Sequence, residues 1–194
     1  YKSSLTVQRT SAISKIISYK SDDNIIIVSF PEALEESVPN VKEIKESILK
    51  IKVGEDISHD KIKSILFEKG FEKVDFVSAP GQYSIRGSIV DVFSYSYNNP
   101  FRISFFGNEV EKITVFNCNT QLSIENKDEI EIFPDLISSE ESESRISEML
   151  PKDCIVWLDS SDMYKEKDSY SEYADFKKVY LEVPISEKDV DAVK

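Results

Sequence analysis

FRISFFGNEVEKITVF, residues 101–116, alternates apolar and polar side chains with the two-residue period of a β-strand. Gly107 and Asn108 interrupt the alternation and are typical of the two-residue turn of a β-hairpin. We expect one face of the first strand to lie in the core, and its residues are Phe101, Ile103 and Phe105. The other face, which normally contacts water, carries Arg102 and Phe106. The stretch therefore predicts a hairpin with an arginine and a large aromatic ring on its outer face.

The sequence around this hairpin predicts an α+β module near residues 48–134. A helix is expected over residues 58–69, with Ser58 as its N-terminal cap and Gly70 as its stop. Short segments with period-two alternation follow Gly70, separated by glycine, proline and asparagine turns. Successive short strands joined by tight turns indicate an antiparallel meander, flanked here by one helix.

The segments on either side of the module have a different pattern. The run IIIVSF, residues 25–30, is continuously apolar, which is typical of a strand covered on both faces, as in a parallel sheet. A second candidate of this kind is CIVWLD, residues 154–159. The sequence thus predicts α/β pieces over residues 1–47 and 135–194, each too short in strands to be a complete domain.

Composition limits the classes of function. The 194 residues carry a formal net charge of −12, which repels a phosphate backbone and argues against direct nucleic-acid binding by this chain. No apolar run is long enough to span a membrane, and no signal peptide is visible. Two widely spaced cysteines fit a reducing compartment, so we expect a cytoplasmic protein. Because the first residue is Tyr1, we expect an excised fragment.

Motifs for enzymatic chemistry are missing from the sequence. The five glycines are isolated, so no glycine-rich loop can cradle a nucleotide phosphate. His59 is the single histidine and is expected to be a surface residue in the first turn of a helix, without companions for a metal site. We therefore expect this chain to have no catalytic, cofactor-binding or metal-binding residues and not to be an enzyme.

Arg86, Arg102 and Phe106 are the candidates for a binding surface. A bulge at Gly87 would turn Arg86 to the water-facing side, where the three residues could form one exposed patch of the composition that interface hot spots favour. The alternative is a local surface pair in which Arg102 packs over Phe106. Asp91 lies between apolar residues and is either a solvated strand position or the partner of a nearby arginine.

Two stretches around these residues carry a family resemblance. PGQYSIRGSIVDVF and PFRISFFGNEVEKITVFNCNTQLS, residues 80–93 and 100–123, resemble the module shared by bacterial transcription-repair coupling factors and the excision-repair helicase UvrB. The resemblance implies that the module recruits UvrA, the damage-recognising ATPase of nucleotide excision repair. It also implies that Arg86, Arg102 and Phe106 bind that partner.

The same resemblance implies that the flanking pieces are incomplete, degenerate halves of a RecA-like domain, with the α+β module inserted between them. It implies that the complete protein is an ATP-dependent DNA translocase that displaces stalled RNA polymerase, with ATP and Mg²⁺ bound in its motor. RNA polymerase and DNA would then be partners of other parts of that protein. The alternative is the corresponding region of UvrB, in which the segment forms part of an active ATPase.

Overall fold

The computed structural model describes residues 4–20, 24–136, 144–159 and 172–181. The predicted piece at 135–194 lies partly outside these residues. The described chain contains α-helices and a large, mostly antiparallel sheet, so the mixed α and β class is confirmed. Within the described residues no helix is long and apolar enough to cross a membrane.

A six-stranded sheet organises the middle of the chain. Its strands follow one another in chain order, and every neighbouring pair is antiparallel except the first, which is parallel. The strands are β2 (Glu72–Lys73), β3 (Gln82–Arg86), β4 (Ile89–Val92), β5 (Phe101–Phe106), β6 (Glu109–Phe116) and β7 (Ser123–Lys127). The predicted meander is confirmed, including the hairpin in which Phe106 pairs with Glu109 across the Gly107–Asn108 turn.

One helix and a separate strand pair accompany this sheet. Strand β1 (Leu49–Lys52) pairs antiparallel with β8 (Glu129–Ile132). Helix α4 (His59–Glu68) begins at Ser58, whose Oγ accepts a hydrogen bond from the backbone N–H of Lys61 at 3.3 Å. The chain leaves the helix at Gly70 with φ of +75°, a conformation that glycine adopts without a steric penalty. The predicted helix, cap and stop are therefore confirmed.

The main core lies between α4 and one face of the sheet. It includes Ile62 and Leu66 of α4, and from β5 it includes Phe101, Ile103 and Phe105. The half-buried His59 borders this core: the centres of its ring and the Phe105 ring are 4.3 Å apart, the rings meet at 90°, and its Nε2 atom is buried. The expectation of a surface histidine holds only in part, because the first turn of α4 packs onto β5 and covers one side of the ring.

A smaller apolar cluster joins the N-terminal helices to the chain after β8. It is formed by α1 (Ser4–Ile17) and α3 (Val41–Ser47) together with residues after β8, and its buried members are Ile13, Val38, Ile44, Phe133 and Leu136. Helix α3 begins with a capping box, in which the Asn40 side chain and Glu43 bond to each other's backbone N–H groups.

The predicted buried strand at residues 25–30 is wrong for this chain. The segment is irregular and leads into the single-turn helix α2 (Pro31–Leu34). Ile26 and Val28 are 91% and 90% exposed. A strand covered on both faces needs neighbouring strands and helices, and no strand of the described residues pairs with this segment.

The second α/β candidate does form a strand. Strand β9 (Ile155–Asp159) pairs in parallel with β10 (Lys177–Leu181), and a short 3₁₀ helix at Ile146–Met149 precedes them. Burial is incomplete, because Trp157 is 63% and Tyr180 62% exposed. In the described part of the chain this sheet has two strands, which cannot cover both of their faces.

Candidate partner-binding site

A buried carboxylate lies on the sheet face opposite the main core. Asp91 is in the middle of β4, and its side chain is 2% exposed. Its cross-strand neighbours are Ser84 of β3 and Arg102 of β5. A buried carboxylate is costly unless it is paired and hydrogen-bonded, so its partners determine whether this position is tolerated.

Arg102 is the first partner of this carboxylate. Its Nε donates to Oδ1 of Asp91 at 2.7 Å and its Nη2 donates to Oδ2 at 2.8 Å, which is bidentate pairing. The side-chain hydrogen bond to Asp91 raises the pKa of Arg102 above its ordinary value, although partial burial opposes the shift. Arg102 therefore stays protonated, and its two hydrogen bonds hold the guanidinium against the Asp91 carboxylate.

Arg86 is the second partner. Its Nη2 also donates to Oδ2 of Asp91, and its Nη1 donates to the backbone carbonyl of Asp75 at 3.2 Å. Its guanidinium lies over the ring of Phe76, 4.8 Å from the ring centre. The same Asp75 carbonyl accepts a hydrogen bond from Ser84 at 2.8 Å, so the loop after β2 is tied to the base of this site. We call Arg86 and Arg102, joined by Asp91, the arginine pair.

The predicted bulge at Gly87 is wrong, although Arg86 does lie on the outer face. Gly87 and Ser88 form a two-residue turn between β3 and β4, in which Arg86 pairs with Ile89. Gly87 has φ of +57°, as turns of this kind require. The chain reverses here, so paired residues share a face and Val90 of β4 lies in the core without any bulge.

Phe106 lies on the same outer face but apart from the arginine pair. It is 79% exposed at the end of β5, whereas its neighbour Phe105 is 4% exposed in the core. Four residues of a strand span about 13 Å, so Phe106 is well separated from Arg102. The guanidinium of Arg102 lies instead over Phe116, 4.3 Å from the ring centre. The structure does not contain the alternative Arg102–Phe106 pair.

The register of the sheet relates the three predicted residues. Arg86 pairs with Ile89, and Ile89 pairs with Ser104, which lies between Arg102 and Phe106 on β5. The structure therefore brings Arg86 and Arg102 together on one carboxylate and places Phe106 farther along the same face. Of the two readings of Asp91, the structure contains the one in which it pairs with arginines.

Two contacts of the arginine pair are not indicated by the sequence. Nη2 of Arg102 donates to Oε1 of Gln121 at 2.8 Å, and Gln121 has φ of +61°. Phe76, which Arg86 covers, is 67% exposed. Residue periodicity predicts neither the Arg102–Gln121 contact nor the Arg86–Phe76 contact, because Gln121 and Phe76 lie in loops whose paths depend on the packed sheet.

The described residues contain no cluster of three or more His, Cys, Asp or Glu side chains placed to hold a metal ion. The outer face presents the hydrogen-bond donors of Arg86 and Arg102 and the exposed rings of Phe76 and Phe106. Such a surface can bind a carboxylate next to apolar side chains.

Comparison with known proteins identifies the module. Residues 49–136 match the UvrB interaction domain. The chain is 38% identical to the transcription-repair-coupling factor of Bacillus subtilis (strain 168) over 148 residues. This aligned stretch covers 75% of this chain and 12% of the relative. It is 30% identical to the factor of Borreliella burgdorferi over 143 residues, and this aligned stretch covers 74% of this chain and 11% of the relative.

A third relative is the factor of Myxococcus xanthus, 32% identical over 85 residues, or 44% of this chain and 7% of the relative. The chain thus spans about a tenth of the length of the curated relatives it matches. Its residues 49–136 form a UvrB interaction domain, and the chain belongs to the transcription-repair coupling factor family.

Proposed function

We propose that this chain recruits UvrA in nucleotide excision repair, and that Arg86, Arg102 and Phe106 contact it. The match of residues 49–136 to the UvrB interaction domain supports the class of partner. The choice of residues rests on the buried Asp91 carboxylate, which holds two arginines on the face of the sheet opposite its core.

The arginine pair is suited to binding an acidic group. Two guanidinium groups and one carboxylate leave a net charge of +1 on a chain whose formal charge is −12. The side chains of Arg86 and Arg102 are 35% and 21% exposed, so both can contact a partner. None of the hydrogen bonds within the described residues uses Nη1 of Arg102, which leaves its two N–H groups for an incoming acceptor.

Phe106 supplies the apolar part of this surface. A ring that is 79% exposed at a hairpin end loses contact with water when a partner covers it, and phenylalanine and arginine are both enriched at protein interfaces. Since Phe106 makes little contact with the core, its removal should affect binding without affecting folding.

The test is a binding titration of the chain with purified UvrA. The Arg86/Arg102/Phe106 triple alanine variant should bind at least about 30-fold more weakly, because hot-spot truncations cost ~2 kcal/mol or more. Phe67→Ala is the matched control for Phe106, since Phe67 is 74% exposed on α4, which packs on the opposite face of the sheet. Arg145→Ala is the control for the arginines.

Equal binding by the triple variant and the unmodified chain would refute the choice of residues. Absence of binding by the unmodified chain would refute the recruitment of UvrA. Weakened binding by Phe67→Ala or Arg145→Ala would show that the contact surface lies elsewhere.

We also propose that the flanking pieces are halves of a RecA-like domain belonging to an ATP-driven DNA translocase that displaces stalled RNA polymerase. The parallel β9–β10 pair and the exposed apolar segment at 25–30 support this, since both need further strands to be covered. Hydrogen exchange tests it: the amides of residues 25–30 should be protected in the complete protein and exchange fast in this chain. Fast exchange in both would contradict the proposal.

A further inference from the structure

Gln121 has a backbone conformation that its residue type disfavours. It is the one non-glycine residue with positive φ in the described part of the chain, at +61°. In this left-handed region the Cβ atom lies close to the backbone, so residues other than glycine, asparagine and aspartate rarely adopt it. Such conformations persist where the surrounding structure determines them, and they cluster at functional sites.

The loop between β6 and β7 holds Gln121 in place through its own hydrogen bonds. The backbone N–H of Gln121 donates to the carbonyl of Asn117 at 2.8 Å, and the N–H of Asn117 donates to the carbonyl of Leu122 at 2.9 Å. Oδ1 of Asn117 accepts the N–H groups of Asn119 and Thr120 at 2.9 and 3.0 Å. The loop is therefore well determined without the Gln121 side chain.

Both ends of the Gln121 amide are engaged. Its Nε2 donates to the carbonyl of Cys118 at 2.8 Å, and its Oε1 accepts from Nη2 of Arg102 at 2.8 Å. The donor end can bond only an acceptor and the carbonyl end only a donor, so these two contacts fix the orientation of the amide. The amide links the backbone of the loop to the guanidinium of Arg102.

Arg102 is consequently held from two directions. Asp91 holds Nε and one N–H of Nη2 from the sheet, and Gln121 holds Nη2 from the loop. The two contacts use Nε and Nη2, and Nη1 is the group that they leave for a partner. Ordering a long side chain before binding reduces the entropy that association would otherwise lose.

We propose that Gln121 is a positioning residue that presents Nη1 of Arg102 to the partner, and that its disfavoured backbone conformation is retained because it aims the side-chain amide at Arg102. The inference rests on the proposed UvrA contact through Arg102.

Gln121→Gly separates this role from a structural one. Glycine accepts φ of +61° without strain, so the variant should be at least as stable as the unmodified chain in urea denaturation. Its affinity for UvrA should nevertheless fall roughly three- to tenfold, the effect of leaving one long side chain to be ordered on binding. The matched control is Asn119→Ala in the same loop, which should bind like the unmodified chain.

A double-mutant cycle tests whether Gln121 acts through Arg102. In an Arg102→Ala background, Gln121→Gly should cause no further loss of affinity. An equal loss in both backgrounds would overturn the proposal, because Gln121 would then act independently of Arg102. Unchanged affinity of the single Gln121→Gly variant would overturn it as well.

A measurement on the free chain distinguishes this proposal from the proposed function. In ¹⁵N NMR the exchange between the two Nη groups of Arg102 should be slow and become faster in Gln121→Gly. If the chain does not bind UvrA, the proposed function fails, and this exchange still decides whether Gln121 positions Arg102. Unchanged exchange would overturn the positioning role.

Discussion

Asp91 and Arg102 lie directly opposite each other on β4 and β5 and are joined by hydrogen bonds of 2.7 and 2.8 Å. The carboxylate is 2% exposed, and Arg86 donates to one of its oxygens as well. One buried acidic residue thus sets the positions of two arginines from different strands. Its removal should affect both folding and binding.

We expect Asp91→Asn to destabilise the chain by about 2 kcal/mol, because the hydrogen bonds of two charged groups to the carboxylate are lost while the arginines stay partly exposed to water. Urea denaturation measures the change, and UvrA binding should weaken in parallel. Asp75→Asn is the control, since Asp75 contributes only its backbone carbonyl to the site. Equal effects of the two substitutions would contradict the prediction.

Phe105 and Phe106 should respond in opposite ways to truncation. Phe105→Ala leaves a cavity in the core and should lower the free energy of unfolding by about 3–5 kcal/mol. Phe106→Ala should change stability by less than about 0.5 kcal/mol, because the ring is mostly exposed. Thermal denaturation and UvrA titration of both variants provide the comparison. A stable Phe105→Ala variant would show that the sheet faces are assigned wrongly.

Gly81→Ala should destabilise the fold strongly. Gly81 has φ of +83°, and a Cβ atom built there would lie 2.1 Å from Oη of Tyr95, a buried side chain. We expect a loss of about 3 kcal/mol, combining the backbone penalty with overpacking. Gly54→Ala is the control, since Gly54 has φ of +82° but no atom near the added carbon, and it should lose only about 1 kcal/mol. Similar losses would mean that Tyr95 moves away.

The stability of the region around Tyr173 should fall at high pH. Burial raises the pKa of Tyr173 to about 12, compared with an ordinary value of 10.0. The neutral phenol is favoured in the folded state, so its contribution is complete below pH 10 and is lost as the pH rises towards 12. Relative to Tyr173→Phe, the unmodified chain should therefore lose unfolding free energy as the pH rises from 10 towards 12. A constant difference between the two proteins would contradict the prediction.

Removing this hydroxyl should not harm the fold at neutral pH. The Oη atom of Tyr173 is buried without a hydrogen-bond partner in the described residues. Tyr173→Phe should therefore be neutral or stabilise the chain by about 1 kcal/mol at pH 7, as measured by thermal denaturation. A clear loss of stability would show that the hydroxyl has a partner.

Much of the central module follows from local sequence. The alternation in residues 101–116 places Phe101, Ile103 and Phe105 in the core, and Gly107 supplies the left-handed turn residue of the hairpin. Ser58 and Gly70 mark the ends of α4. These features depend on residues within a few positions of one another, so the sequence is sufficient to predict them.

Expectations that depended on distant partners were less successful. The run at residues 25–30 has the composition of a buried strand but is exposed, because no described strand lies beside it. Arg86 faces outward because of a hairpin turn and not a bulge. His59 packs on Phe105, which is distant from it in sequence. In each case the outcome depends on whether another element of the fold lies beside the residue.

The sequence by itself therefore determined the strand pattern, the helix ends and which side chains of β5 face outward, since backbone sterics and side-chain periodicity operate locally. Only the tertiary structure decided that Asp91 joins Arg86 to Arg102, and that Gln121 bonds Arg102 from a left-handed loop position. The physical reason is that the strand register and the path of the 117–122 loop bring together groups from separate parts of the chain. A buried carboxylate is stable only where such groups neutralise it.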